Sequence, residues 1–548
     1  MIHSKRSDRN NISPQAGLLI WAIIFLVLAT AVLNMPGYPS GLKPATFLKL
    51  PLEVPLTGLA LLVLSGLAAR LLAFFSTLAI GTVLFLRLAD IGVQSAFQRR
   101  FNPYLDAKMI ADGWNVLSGS IGTLTAASLI IATIAVFILV LLLLFTAQVR
   151  LADAKPPITG NLRLVFGSLA GVGLIFFTAS QFDGMRQYAS LQTPSYLTAR
   201  LTLISKSMDD MRHFDQDLAA RAEKTTDEYL FRGVAGRDII LIFIESYGRS
   251  AVEDSRYAPL IQPRLASVGD ALTAKGFSAA SGWTRSPTMG GLSWLAHGTF
   301  LSGLWVDNQA RYDRLMISDW PSLNSMFRDS GWRTAAVMPA ITMAWPEAEY
   351  YGYDQIFAAA DLGYKGKTFN WVTMPDQYTL SAFDRLVRHP AAEADKPVMA
   401  EIALISSHAP WTPVPRLIDW LDVGNGEIFD RQAESGDPPG VVWADDQRIR
   451  RQYIQTIDYS LHTVGDYVAK FGDDAVFVVL GDHQPAPLVT GPDASRDVPI
   501  HIISRDRNLV RRFEAEGFSP GMIPAEDAAN PPMDSMRGKL IRIFSQAQ

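Results

Sequence analysis

Three apolar runs in the second half of this chain each end on residues able to hold a cation. IILIFI (239–244) runs into Glu245, IALI (402–405) into Ser406-Ser407-His408, and VFVVL (476–480) into Gly481-Asp482-His483. In open, mostly parallel α/β sheets, ligands bind at the carboxyl ends of the strands, so Glu245, His408, Asp482 and His483 are expected to meet in one crevice. Two carboxylates and imidazoles there make a divalent-metal site of oxygen and nitrogen ligands. Taken singly, each residue has an ordinary reading: Glu245 opens a polar loop, Gly481 to Pro485 form a turn, and His408 is a surface or capping histidine. The same ending on three strands is what carries the metal reading.

Such a centre needs a nucleophile, and the segment SGWTRSPTMGGLS (281–293) supplies several hydroxyls. Thr288 is the expected one. It precedes Met289-Gly290-Gly291, where small residues allow close approach of a ligand, and the following GLSWLAHGTFLSGL (291–304) is predicted to be a helix whose N-terminus favours a phosphate. A metal beside that hydroxyl lowers its pKa. The competing reading of the same residue is a helix cap without chemistry.

The elements that must position these groups follow from periodicity. Short apolar runs alternate with longer amphipathic stretches from Arg237 onward, which predicts an α/β domain with a central, mostly parallel sheet. Its clearest strands are Ile239–Ile244, Thr334–Met338, Met399–Ile405, Ala475–Leu480 and Pro499–Ile503. A helix from Gln447 to Lys470 carries Tyr453, Ile454, Ile457, Leu461, Val464 and Val468 at helical spacing, the pattern of a core face. Pro413 to Asp446 reads as a loop-rich insertion.

The first half belongs to lipid. Residues 16–33 carry no charge and follow Lys5, Arg6 and Arg9; that length crosses a bilayer core of about 30 Å. No small-x-small cleavage site follows at Leu33-Asn34-Met35-Pro36, so a span is expected rather than a removed signal. Further apolar stretches run Val54–Ala69, Leu71–Leu86, Leu124–Ala147 and Leu164–Phe182. With the middle pair folded as a hairpin about Arg70, five spans are expected. Arg150, Lys155 and Arg163 then share the cytoplasmic side with the N-terminus, and everything after Phe182 lies outside. Arg99, Arg100 and Lys108 fall on the outer side, against that trend. The expected division is a membrane domain over 1–186, an amphipathic helical connector over 187–236 and a catalytic domain over 237–548.

Composition narrows the rest. A net charge of -4 over 548 residues, with no long basic run, gives nucleic-acid binding no support. Cysteine is absent, which excludes disulfides, thiolate ligands and cysteine nucleophiles.

In their order, the strand into Glu245-Ser246, Thr288 ahead of a helix, Ser406-Ser407-His408-Ala409-Pro410-Trp411 and Gly481-Asp482-His483 resemble the sulfatase-like branch of the alkaline phosphatase superfamily. More narrowly, they are similar to lipoteichoic acid synthases and to phosphoglycerol and phosphoethanolamine transferases, which also carry about five spans before an extracytoplasmic domain. The resemblance implies that Glu245, Thr288, Asp482 and His483 bind one Mn2+ or Zn2+, and that Thr288 forms a phospho-enzyme. His408 would bind the substrate phosphate or assist the leaving group, and Trp345 and Trp411 would line a head-group pocket. It further implies a membrane phospholipid donor and an extracytoplasmic glycan or lipid acceptor. Sulfatases that use formylglycine mature a Cys or Ser in Cys/Ser-x-Pro/Ala-x-Arg, a pattern that Ser286-Pro287-Thr288-Met289-Gly290 does not fit. The lack of cysteine also separates the chain from lipid A-modifying transferases stabilised by disulfides. Two alternatives to the transferase remain: a hydrolase of phosphate or sulfate esters using the same site, and a non-catalytic membrane scaffold.

Overall fold

A computed structural model describes residues 14–97, 99–106, 114, 122–154, 159–179, 189–191, 193–220, 230–390 and 396–547. Lys5, Arg6, Arg9, Lys108, Lys155 and Phe182, all used in the membrane expectation, lie outside the described residues. The chain divides into two compact units, one of residues 1–95 and 99–208 and the other of residues 96–98 and 209–548.

The first unit is built of apolar helices: α1 (Pro14–Leu33), α2 (Glu53–Val63), α3 (Gly66–Phe97), α4 (Thr123–Ala152) and α5 (Thr159–Ala179), followed by the start of α6 (Thr193–Ala220). Among the described residues, α1, α3, α4 and α5 are long and apolar enough to cross a membrane, while α2 is an 11-residue apolar helix. The expected hairpin about Arg70 is displaced. The break falls at Leu64-Ser65, where Gly66 takes a φ of 62° that a side chain would disfavour, and Arg70 is already within α3. At about 1.5 Å per residue α2 covers little more than half a bilayer core.

Contacts inside this unit nevertheless fix the direction of each pass. A short parallel bridge pairs β1 (Leu50–Pro51) with β2 (Ala189–Ser190), so the end of α1 and the end of α5 lie on one side. On the other side, Arg163 at the start of α5 donates to the carbonyl of Leu62 at the end of α2, through Nε at 3.1 Å and Nη2 at 2.6 Å. Arg70 near the start of α3 pairs with Asp153, just after α4, at 3.6 Å. Antiparallel α2 and α5 approach closely because Gly58 has no side chain: a Cβ there would meet the Phe166 ring at 2.5 Å. The five segments therefore alternate in direction. Arg150 and Arg163 mark one face as cytoplasmic, and the chain leaves α5 on the opposite one. This is a multi-pass membrane protein with a large extracytoplasmic C-terminal domain.

The second unit contains an eight-stranded sheet in the order β10-β4-β9-β8-β3-β7-β5-β6. Its strands are β3 (Ile239–Ile244), β4 (Ser278–Arg285), β5 (Arg333–Met338), β6 (Gln355–Ala358), β7 (Val398–Leu404), β8 (Val476–Gly481), β9 (Asp497–Ser504) and β10 (Ser519–Pro520). The run β8-β3-β7-β5-β6 is parallel, and β9, β4 and β10 extend it with antiparallel pairings. Both faces are covered, as a parallel sheet requires, which is why β3 and β8 read as unbroken apolar runs. Successive residues of β3 alternate between two cores: Ile240, Ile242 and Ile244 pack on one side, and Ile239, Leu241 and Phe243 on the other. On the first side lie α7 (Ala258–Ala274) and, further along, the long helix Asp446–Phe471, whose apolar face was legible from spacing. Between them in the chain comes α8 (Ser293–Ser302).

Candidate metal centre

Glu245, Asp482 and His483 are brought together as expected. They follow the parallel neighbours β3 and β8, in register from Ile239↔Val476 to Ile244↔Gly481, so both strands deliver their next residues to the same edge. Their ligand atoms lie within 4.8 Å of one another and all three residues are buried. Gly481 is needed for this approach, because a Cβ there would collide with the backbone of Tyr247. The turn after Glu245 is tight, with Ser246 at a φ of 57°.

Every group in the cluster is held by a second bond. Asp482 Oδ1 accepts from the backbone N–H of Ser246 at 2.8 Å and of His483 at 2.6 Å. Ser246 Oγ donates to Glu245 Oε1 at 2.9 Å, and Ser407 Oγ donates to the Glu245 carbonyl at 2.6 Å. His483 Nδ1 sits 2.8 Å from the carbonyl of Gln484, which assigns the proton to Nδ1 and turns Nε2 toward the carboxylates, 3.3 Å from Glu245 Oε1 and 3.8 Å from Asp482 Oδ2.

The electrostatics favour added positive charge. Burial and the neighbouring Glu245 charge push Asp482 up to about 7. Burial opposes the charge on His483 as well, but Asp482 and Glu245 outweigh it and raise the imidazole to about 9. For Glu245 burial acts upward, yet His483 wins and its carboxyl stays well below the usual range. Two buried carboxylates with an imidazole nitrogen turned toward them are a fitting donor set for a divalent cation.

Of the hydroxyls in the segment 281–293, Ser293 is the one with described bonds to the cluster, and Thr288 is bonded elsewhere. Thr288 Oγ1 donates to the Gly291 carbonyl at 2.8 Å, which pins the turn before α8, and has no described bond to the cluster. Ser293 Oγ lies 3.0 Å from Glu245 Oε2 and 3.2 Å from His483 Nε2. The reason lies in the turn. Gly290, Gly291 and Leu292 all take positive φ, at 75°, 145° and 63°, so the chain reverses after Thr288 and the helix begins at Ser293. Spacing alone does not separate the two hydroxyls, because both stand near the start of the helix predicted over 291–304. Counting from Ser293, Ser293-Trp294-Leu295-Ala296-His297 still lacks the Pro/Ala and Arg of the formylglycine pattern.

His408 lies on the loop after β7. Its charge is among those acting on Glu245, its Nδ1 is 2.5 Å from the Ala409 carbonyl, and its ring stacks on Trp371 at 3.6 Å between centroids. Trp411 and Trp345 each pack against neighbouring aromatic rings. Trp411 is 5% exposed, bonded to the Ser407 carbonyl at 2.8 Å and stacked on Trp443, and Trp345 packs against Tyr351 and Tyr353. The half-open indole beside His408 is Trp371, which carried no distinguishing sequence pattern.

Residues 237–497 match the sulfatase family. No curated protein matches the chain. Among solved structures, the lipoteichoic acid synthase LtaP of Listeria monocytogenes is similar at 12% identity, covering 60% of this chain and 78% of that one, with a TM-score of 0.37. An alkaline phosphatase superfamily protein of Vibrio parahaemolyticus is similar at 15% identity, covering 61% and 75%, with a TM-score of 0.37. The phosphoglycerol transferase GacH of Streptococcus pyogenes is similar at 12% identity, covering 56% and 80%, with a TM-score of 0.36. Residues 237–497 of the extracytoplasmic part are therefore a sulfatase-like domain. It carries a candidate cation site at the carboxyl edge of a largely parallel sheet, suited to hydrolase or transferase chemistry in general.

Proposed function

We propose that this protein transfers a phosphoglycerol or similar phospho-head group from a membrane phospholipid to a glycan or lipid acceptor outside the membrane, through a phosphoserine at Ser293. The observation that carries this reading is the position of Ser293 Oγ, at the first residue of α8 and within hydrogen-bonding distance of both Glu245 and His483. Glu245, Asp482 and His483 would hold Mn2+ or Zn2+. A divalent cation bound there neutralises phosphoryl charge and makes an adjacent hydroxyl a better nucleophile.

In the first half-reaction Ser293 Oγ attacks phosphorus and diacylglycerol departs; in the second an acceptor hydroxyl takes the head group from the serine. The backbone N–H groups that open α8 face the phosphoryl oxygens. His408, with Trp371 stacked on it, would bind the substrate phosphate or assist the leaving group. The membrane spans support a lipid donor, since tethering keeps the domain at high local concentration of its substrate. Water as the acceptor would make the same site a phosphodiesterase. Incubating the full-length protein with head-group-labelled phosphatidylglycerol, with and without membrane glycan, separates these outcomes. Label transferred to acceptor supports the proposal. Soluble head group alone replaces it with the hydrolase, and no diacylglycerol from either incubation removes both.

A further inference from the structure

One turn beyond Ser293 on α8 stands His297. Residues four apart share a helix face, with about 5–6 Å between Cβ atoms, and helical side chains lean toward the N-terminus, so this imidazole leans toward Ser293. Phe243 of β3 stacks on it, with ring centroids 3.8 Å apart and planes 20° apart. Its Nδ1 lies 2.6 Å from Glu401 Oε1. Glu401 sits within β7 at 1% exposure, a place where a carboxylate survives only if it is bonded. Its second oxygen accepts from the hydroxyl of Tyr353 and, at 3.5 Å, from Asn324 Nδ2. The other charge facing the ring is Asp482 at the end of β8.

Among the described residues, the second ring nitrogen has no hydrogen-bond partner. Donation of Nδ1–H to Glu401 puts the imidazole lone pair on Nε2, on the helix face that carries Ser293. A nucleophilic serine must lose its proton, and its two described neighbours, Glu245 and His483, are members of the cation cluster whose lone pairs a bound ion would occupy. His297 is the imidazole on this face that lies outside that cluster.

Resting on the transferase reading above, we propose that the Glu401–His297 pair is the proton acceptor for Ser293. As the bond from Ser293 Oγ to phosphorus forms, the hydroxyl proton passes to His297 Nε2 and the imidazolium pairs with Glu401. The bond from phosphorus to the leaving oxygen breaks with both electrons going to that oxygen, which takes a proton from water. When the head group moves on, the Oγ–phosphorus bond breaks, the proton returns from His297 to Ser293 Oγ, and the acceptor hydroxyl gives its proton to water.

The test uses the full-length protein loaded with Mn2+ and bis(4-nitrophenyl) phosphate, whose leaving group needs no proton, so that a slow burst reports on the nucleophile. Rapid mixing reads the burst of nitrophenolate, and mass spectrometry reads the 4-nitrophenyl phosphate left on Ser293. His297→Gln is expected to slow the burst by about 10²–10⁴-fold, to keep the wild-type Mn2+ content, and to lose the solvent deuterium isotope effect on the burst. His297→Ala is expected to recover its burst when imidazole is added. Glu401→Gln, which preserves shape, is expected to slow the burst by about tenfold or more. A His297→Gln burst within about threefold of wild type overturns the inference, as does a slow burst that keeps its isotope effect and ignores imidazole. Absence of this Ser293 adduct in the wild type overturns the proposed function and takes this inference with it.

Discussion

Ser293 and Glu245 are 48 positions apart in the chain, and the serine hydroxyl donates to the carboxylate across 3.0 Å. That bond joins the first residue of a helix to the residue that ends a central strand. It places the only alcohol described at the cluster's ligand atoms, other than the adjacent Ser246, where an attacking oxygen is needed.

Ser293 and Thr288 are expected to separate cleanly in a kinetic assay. Ser293→Ala should lower phosphodiester turnover by about 10⁴-fold or more, as loss of a nucleophile does. Thr288→Ala removes one bond to the Gly291 carbonyl and should cost about tenfold or less, the worth of a single neutral hydrogen bond. Equal inactivity of the two variants would return the nucleophile to question.

Cation binding should show in stability as well as in activity. Adding Mn2+ or Zn2+ at about a hundred times its Kd is expected to stabilise the folded protein by about 2.7 kcal/mol. Asp482→Asn should abolish that rise without lowering the midpoint of the metal-free protein, since burial and Glu245 already disfavour the charged form of Asp482. A calorimetric scan with and without metal on both proteins checks this; an unchanged rise in Asp482→Asn would count against the cluster as the binding site.

A separate pH effect belongs to His501. It is fully buried between Ser281 Oγ at 2.7 Å and Tyr247 OH at 3.1 Å, and burial pushes it down to about 3. Above its ordinary value near 6.5, folded and unfolded chains are both neutral there and the residue contributes nothing to pH dependence. Between 6.5 and 3 the unfolded chain takes up a proton that the folded chain refuses, so stability falls by about 1.4 kcal/mol per pH unit as pH drops. Thermal midpoints from pH 7 to 4 should therefore fall less steeply for His501→Gln than for wild type, and parallel curves would refute the assignment.

Absence of cysteine makes the membrane arrangement directly testable. A membrane-impermeant maleimide applied to intact cells should label Leu48→Cys, at a residue 84% exposed on the outer side, and should leave Asp153→Cys unlabelled until the membrane is opened. The reverse pattern would turn the whole chain over.

Much of this protein is written locally. The apolar runs at 239–244, 399–404 and 476–480 are strands because a parallel sheet covered on both faces needs uninterrupted hydrophobicity, and Glu245, Asp482 and His483 are legible as the polar residues that end two of them. The strand Ser278–Arg285 was not legible, because SAASGWTR has neither a long apolar run nor strict alternation and is held by its pairing with β9. Nor could spacing choose between Thr288 and Ser293. That choice depends on three successive positive φ values and on a helix start that only contacts with Glu245 and His483 give meaning. Sequence by itself determined which residue types stand at the strand ends and which segments belong in lipid, since both follow from hydrophobic patterning along the chain. Tertiary structure alone decided which hydroxyl reaches the cluster and which histidine is clamped by Glu401, because those depend on where distant segments meet.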